Sequence, residues 1–351
     1  MPVSGHRAPL RLLVLGGTGF ISGAVAAEAV ARGHDVTCVA RGTGGRLPEG
    51  TRLLRADRDR PDSLAALGGT RFDAVVETAT LALPRVREAL RAVRADHWTF
   101  LSSISVYADT YTPGQTARTA RLRPALPDDT TRYDPARDPE PSQAVYGGVK
   151  LACEQAVREA TGDRAFVVRP GLVVGPGDDV GPFGYWPLRM ARGGTTAVPP
   201  GSAADGAPLP AQVVDVRDLA AWILDQAGDR AAGVYDAAGP PVPLRALLRD
   251  IADAVGHDSL HLVPVPEDAL LTAGISPWTG PASLPLWPPR ALHGALSRDV
   301  TASFEAGLRI RPVGETAAAV LRDRLGRGAG KRPVAGLTPV EEAALLRSLG
   351  H

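Results

Sequence analysis

Tyr146 and Lys150 stand four residues apart in a stretch, residues 144–160, whose spacing predicts a helix. At i and i+4 their side chains share one helix face. A free phenol holds its proton too tightly to serve as an efficient base at neutral pH. An ammonium fixed a few ångströms away favours the phenolate by opposite-charge attraction. Such a pair can give or take the proton of a carbinol or a carbonyl. A third group, Ser103, lies in Ser102-Ser103-Ile104-Ser105-Val106-Tyr107, directly behind an apolar run. Its hydroxyl can hydrogen-bond the same substrate oxygen and orient it. Taken alone, Tyr-x-x-x-Lys is common on exposed helix faces, and a serine at a strand end is often only a cap. Their weight comes from what precedes them in the chain.

Near the start, Leu12-Leu13-Val14-Leu15 breaks into Gly16-Gly17-Thr18-Gly19-Phe20-Ile21-Ser22-Gly23. An Ala-rich helical stretch follows, ending at Gly33 with Arg32 in its last turn, and residues 36–39 read as a second strand. Strand, glycine turn, helix and strand form a βαβ start. Glycines at the turn permit unusual backbone angles and let the chain approach a ligand closely. The helix N-terminus then presents free N–H groups and a positive dipole end to a pyrophosphate. Gly16, Gly17, Thr18, Gly19, Phe20 and Ile21 are therefore expected to hold a dinucleotide. Ser22 occupies the place of a third glycine and is still small. The second strand runs out as Val39-Ala40-Arg41-Gly42, with no carboxylate for a ribose 2′-hydroxyl. Arg41 suits a 2′-phosphate, so NADP(H) is preferred and NAD(H) is the alternative.

The elements that must carry these groups alternate. Residues 10–15, 36–39, 52–56, 74–78, 98–101 and 166–168 read as strands, with helices between them, for example at 84–93 and 144–160. This implies a doubly wound parallel α/β sheet, with ligands gathered at the carboxyl ends of its strands. Residues 109–141 are rich in Pro, Thr, Arg and Asp without periodicity, and as the link from Tyr107 to Tyr146 they are expected to lie over the site. Further helices are expected at 185–192, at 219–227 with Asp218 near the N-cap, and at 244–255, 266–273 and 313–325. Thr338-Pro339-Val340-Glu341 is a capping-box pattern. On this reading residues 1–175, rejoined by 211–237, form a Rossmann dinucleotide-binding domain. Residues 176–210 and 238–351 form a smaller α/β cap for the substrate.

Composition narrows the function classes. The 351 residues carry a formal charge of +1, with acids and bases interleaved, so no nucleic-acid footprint is visible. No apolar run is long enough to span a membrane, and residues 1–9 lack the apolar core of a signal peptide. The two cysteines, Cys38 and Cys153, offer no disulfide framework, and no Cys/His cluster suggests a metal. A reduced, cytoplasmic setting is expected.

With these pieces in order, the chain resembles the extended short-chain dehydrogenases/reductases of the NAD-dependent epimerase/dehydratase group. The motifs are Gly16-Gly17-Thr18-Gly19-Phe20-Ile21, Ser102-Ser103-Ile104-Ser105-Val106-Tyr107 and Tyr146-Gly147-Gly148-Val149-Lys150. Arg169-Pro170 with Gly175-Pro176, and Val214-Asp215-Val216-Arg217-Asp218-Leu219-Ala220, also match. The resemblance implies a Rossmann fold and a catalytic Ser103, Tyr146 and Lys150. It implies cofactor contacts at Asp57, Arg58, Ala79, Lys150 and Pro170, a small-molecule substrate, and a homodimer through helices flanking the sheet. A similar bacterial subgroup contains reductases and epimerases, and a plant branch is linked to RNA binding.

A 4,6-dehydratase of this group would need an Asp-Glu pair directly after the catalytic serine, where Ile104-Ser105 stand. Arg41 tilts the reading to a reductase that exchanges NADP(H), acting on a carbonyl of a sugar-like or secondary-metabolite substrate. A nucleotide-sugar epimerase with tightly held NAD is the alternative. A non-catalytic nucleotide- or RNA-binding protein on the same fold is a second one, against which the near-neutral charge and the intact Ser-Tyr-Lys set both speak. Arg189 and Arg192, one turn apart, are candidate phosphate partners. Trp186, Trp278 and Trp287 are candidates either to line a pocket or to anchor packing.

Overall fold

The computed structural model describes residues 8–42, 45, 47–78, 82–126, 143–327 and 335–351. The first half runs β1 (Arg11–Leu15), α1 (Phe20–Ala31), β2 (Asp35–Ala40), β3 (Arg52–Arg55), β4 (Arg71–Glu77), α2 (Leu83–Ala92), β5 (Arg94–Leu101), α3 (Gln143–Thr161) and β6 (Ala165–Pro170). The chain then passes through β7 (Leu172–Val174), α4 (Tyr185–Ala191), β8 (Thr195–Val198), β9 (Pro210–Ala211) and β10 (Val213–Asp215) to α5 (Val216–Gly228) and β11 (Gly233–Ala237). It ends in β12 (Val242–Pro243), α6 (Leu244–Val255), β13 (His261–Pro264), α7 (Glu267–Thr272), β14 (Ser276–Trp278), β15 (Ser283–Pro285), α8 (Thr301–Glu305), α9 (Val313–Gly326) and α10 (Pro339–Ser348).

Seven strands form one parallel sheet in the order β11-β6-β5-β4-β1-β2-β3. Leu12–Leu15 of β1 and Ala165–Val168 of β6 are continuous apolar runs because helices cover both faces. On one face Val25 and Ala26 of α1 pack with Leu219 and Trp222 of α5. On the other, Val86 lies near Val149 and Cys153 of α3. The chain builds β1, β2 and β3 outward, then returns to lay β4, β5 and β6 on the other side of β1. The order reverses between β1 and β4, and the crevice at such a switch point is where this architecture takes ligands. A separate apolar core gathers Trp186, Leu247, Ile251, Val265, Trp287 and Leu345 from the second half.

Two expectations are corrected. The helix at 216–228 starts three residues earlier than its apolar pattern suggests. Its N-cap is Asp215, whose carboxylate accepts the Arg217 N–H at 2.8 Å. Asp218 instead accepts from the backbone N–H and the Nε of Arg311, at 2.9 and 2.8 Å. The described part of the 109–141 stretch is not structureless. Tyr107 bridges Leu122, Ala108 N–H donates to Arg121 O at 2.8 Å, and Gly114 N–H donates to Ser297 O at 2.7 Å. The second half also contains short strand pairs, β8 with β13, β9 with β12 and β14 with β15, that periodicity does not reveal. Strands of two to four residues are too short to show an alternation.

Candidate active site

The glycine turn follows β1 at the switch point. Gly16 and Gly17 have φ of 138° and 111°, which side-chain-bearing residues rarely adopt. A Cβ on Gly17 would also lie 2.7 Å from Cys38 Sγ, so this backbone must be bare. Burial pushes the Cys38 thiol up to about 11, so it stays protonated beneath the turn. Ser22 is buried, and its Oγ accepts the Gly19 N–H at 3.1 Å. The serine in the third-glycine position thus braces the turn.

Beside the turn lies a cavity of about 140 Å³ lined by Gly16, Thr18, Ala40, Arg41, Asp57 and Arg58, among others. Arg41 is exposed at its rim and makes no ion pair among the described residues. Arg58 is different. Its two Nη atoms donate to Glu77 at 2.9 and 2.7 Å, and Nη2 also reaches Arg85 O at 2.8 Å. Its charge neutralises a fully buried carboxylate at the end of β4. Asp57 Oδ1 accepts the Asp59 N–H at 3.2 Å. Pro170 ends β6. Ala79 lies outside the described residues. The bare glycine cradle, the helix start behind it and the adjoining cavity fit a dinucleotide.

Ser103 leaves β5 in extended conformation and caps the 104–106 turn. Its Oγ accepts the Ser105 N–H and donates to Ser105 Oγ, both at 3.1 Å. Lys150 is buried. Its Nζ donates to Leu101 O at 2.9 Å and sits 5.4 Å from the Phe100 ring centroid. The ammonium is thus tied to the strand end from which Ser103 departs. Tyr146 is half-buried one turn earlier on α3.

Two glycines between the tyrosine and the lysine set the closeness of these parts. A Cβ on Gly147 would fall 2.0 Å from Ser105 O, and one on Gly148 would fall 2.7 Å from Leu126 Cγ. Helix and turn therefore touch backbone to backbone, and Arg123 Nε donates to the same Ser105 O at 2.9 Å. Gly147→Ala is expected to push α3 off the turn. Overpacking of this kind costs about 1–3 kcal/mol, and turnover should fall beyond what the lost stability explains. Unchanged melting temperature and turnover would show that the close approach is unnecessary.

Behind the site runs a buried polar chain that sequence reasoning missed. Arg169 donates to Glu154 through Nε at 2.9 Å and Nη2 at 2.6 Å, and to Tyr107 Oη through Nη1 at 2.9 Å. Tyr107 Oη donates to Asp236 at 2.5 Å, and Arg298 Nε donates to the same carboxylate at 2.7 Å. The Arg298 guanidinium lies 3.6 Å from the Tyr107 ring centroid. Each of the five side chains belongs to a residue at most 3% exposed. Burial raises the Tyr107 hydroxyl above its ordinary value, with the Asp236 charge adding to it, so the phenol remains a donor. Glu154 is one turn beyond Lys150 and Tyr107 is four residues beyond Ser103. Arg169 therefore bridges the helix and the turn that carry the candidate catalytic groups. The visible signal was a glutamate at i+4 from Lys150 and an arginine in a buried strand.

Other candidates go elsewhere. Arg189 is buried, donating to Glu342 at 2.6 Å and to the carbonyls of Gly193 and Thr195 at 2.8 and 2.7 Å. It fastens α4 to α10 and is not available to a phosphate. Arg192 is exposed. Trp186 and Trp287 are core residues, with Trp186 Nε1 donating to Pro285 O at 2.9 Å, and Trp278 is half-buried. Among the described residues no helix is long and apolar enough to cross a membrane.

This sheet order, with its glycine cradle at the switch point, defines a Rossmann-type dinucleotide fold. The model of the NAD dependent epimerase/dehydratase family matches residues 12–224. A 2'-dehydrokanamycin reductase of Streptomyces kanamyceticus is 30% identical over 290 residues, covering 77% of this chain and 75% of the relative. Two solved structures share the fold. The Bordetella bronchiseptica enzyme WbmG, in complex with NAD and UDP, has a TM-score of 0.63 at 14% identity, covering 94% of this chain and 100% of that one. The UDP-glucose 4-epimerase of Thermus thermophilus, in complex with NAD, has a TM-score of 0.59 at 18% identity, covering 91% and 99%. The chain belongs to the NAD dependent epimerase/dehydratase family. It is an NAD(P)-dependent oxidoreductase/epimerase of the extended short-chain dehydrogenase type.

Proposed function

We propose that this enzyme is an NADP(H)-dependent reductase that interconverts a carbonyl and an alcohol on a sugar-like or secondary-metabolite substrate. The observation that carries the cofactor preference is Arg41, exposed at the cavity rim without a carboxylate partner among the described residues. The reductase relative, named for a 2'-dehydro compound, supports carbonyl reduction as the direction.

The nicotinamide ring, when bound, supplies the two-electron chemistry. Tyr146 gives the substrate oxygen its proton, and Lys150 favours the phenolate left behind. Ser103 hydrogen-bonds that oxygen; rotation of its hydroxyl away from Ser105 frees the donor. When the cofactor binds, Gly16 to Ile21 would hold the pyrophosphate, Asp57, Arg58 and Pro170 would line the rest of the cleft, and Lys150 would also meet the nicotinamide ribose. Residues 176–210 and 238–351 shape the substrate side.

The test is the cofactor released on denaturing freshly purified protein, identified and quantified by mass. Little cofactor, or a fraction of NADP, is expected. Near-stoichiometric NAD would overturn the reading in favour of an epimerase. Arg41→Ala should weaken NADPH binding about tenfold or more, by the usual size of a charge-assisted hydrogen bond, and leave NADH binding nearly unchanged. Equal losses for both would remove Arg41 from the argument.

A further inference from the structure

Of the three arginines that line the cofactor cavity, Arg58 and Arg85 are neutralised. Arg58 donates to Glu77 at 2.7 Å and Arg85 to Asp59 at 2.6 Å. Two exposed arginines have no carboxylate partner among the described residues: Arg41, which lines the cavity, and Arg55, on the neighbouring strand end. They belong to adjacent strand ends. Arg55 is paired in register with Ala40, the residue just before Arg41. Ala56, directly after Arg55, donates its N–H to Ala40 O at 3.2 Å and lines the cavity with Arg41.

The Arg55 side chain is also aimed. Its guanidinium lies against the bare face of Gly42, with Cζ 3.4 Å and both Nε and Nη1 3.5 Å from where a Cβ would stand. Gly42 has φ of 76°, so glycine is favoured there, and the guanidinium lies at ordinary contact distance beside it. The planar head of Arg55 is thereby held next to the residue that follows Arg41. Two cations on neighbouring strand ends, without carboxylate partners among the described residues, repel each other weakly in water, but a dianion placed between them is attracted by both. A phosphate can accept from two guanidinium forks at once.

We infer that Arg55 is a second specificity-determining contact for the cofactor 2′-phosphate, acting with Arg41 as a two-arginine clamp. This rests on the NADP(H) reading above, and extends it to a residue outside the glycine turn and the end of β2. Arg55 is on the surface, so its replacement leaves the fold intact, which a melting curve verifies.

The experiment titrates wild type, Arg55→Gln, Arg55→Lys and Arg41→Gln with NADPH and NADH, and with 2′,5′-ADP and 5′-ADP as probes lacking nicotinamide. Arg55→Gln should weaken NADPH and 2′,5′-ADP about tenfold, with NADH and 5′-ADP nearly unchanged. Arg55→Lys should recover part of the loss, because the charge returns without the fork. If wild type prefers NADPH while Arg55→Gln changes nothing, or weakens all four ligands equally, the Arg55 assignment is wrong and the NADP(H) reading stands. If wild type shows no preference for NADPH, the reading and the assignment fall together.

Discussion

Tyr146→Phe is expected to lower turnover by roughly 10²–10⁴-fold, the usual contribution of a positioned general acid or base. The change removes one oxygen from a half-buried side chain and keeps its ring. The glycine turn that would carry the pyrophosphate sits at the end of β1, on another element, so NADPH affinity should stay within about twofold of wild type. The helix itself is held by contacts that the substitution does not touch. Lys150 remains tied to Leu101 O, Gly147 remains against Ser105 O, and Glu154 remains clamped by Arg169. Loss of turnover with retained cofactor binding therefore isolates the hydroxyl. Full activity in this variant would refute the assignment of Tyr146 as the proton donor.

Arg169→Met is expected to be strongly destabilising. It strands Glu154, 1% exposed, without its cation, and removes one of the two partners of the Tyr107 hydroxyl. Breaking a buried pair from one side costs about 3–5 kcal/mol, a large share of the roughly 5–15 kcal/mol of a whole domain. The companion variant Glu154→Met with Arg169→Met should recover much of that loss, because the uncompensated charge is gone and the volume is kept. Urea unfolding of the wild type, the single and the double variant measures both effects. A single variant within about 1 kcal/mol of wild type would show that water or a neighbour compensates Glu154. The contrast with Arg41 and Arg55 is instructive. Exposed and without a carboxylate partner among the described residues, they should affect ligand binding and leave stability nearly untouched.

The βαβ start was legible because every signal in it is local. An apolar run buried on both faces, glycines at positive φ and a helix stopped at Gly33, with φ of 81°, are written in consecutive residues. The helix over residues 244–255 and the Thr338–Glu341 capping box are legible for the same reason. Ser103, Tyr146 and Lys150 are proposed from their order and spacing together with the family resemblance, which selects Ser103 over Ser102 and Ser105. The glycines between the tyrosine and the lysine could be quoted too, but not their reason, since Ser105 O is far away in sequence.

The tertiary structure decided where charges go. Arg189, a candidate phosphate partner or a solvated charge by its sequence position, instead meets Glu342, 153 residues onward. Arg58 is engaged by Glu77, Asp218 by Arg311, and Arg55 lies against Gly42 through strand register. The chain from Glu154 through Arg169, Tyr107 and Asp236 to Arg298 joins residues from five separate segments. By itself, then, the sequence determined the backbone: strand and helix periods, the positive-φ turns, and the residue types available for chemistry. Those follow from sterics and burial within a few residues of one another. Which arginine faces a carboxylate and which faces solvent depends on distances across the fold, because Coulomb attraction and desolvation act through space and not along the chain.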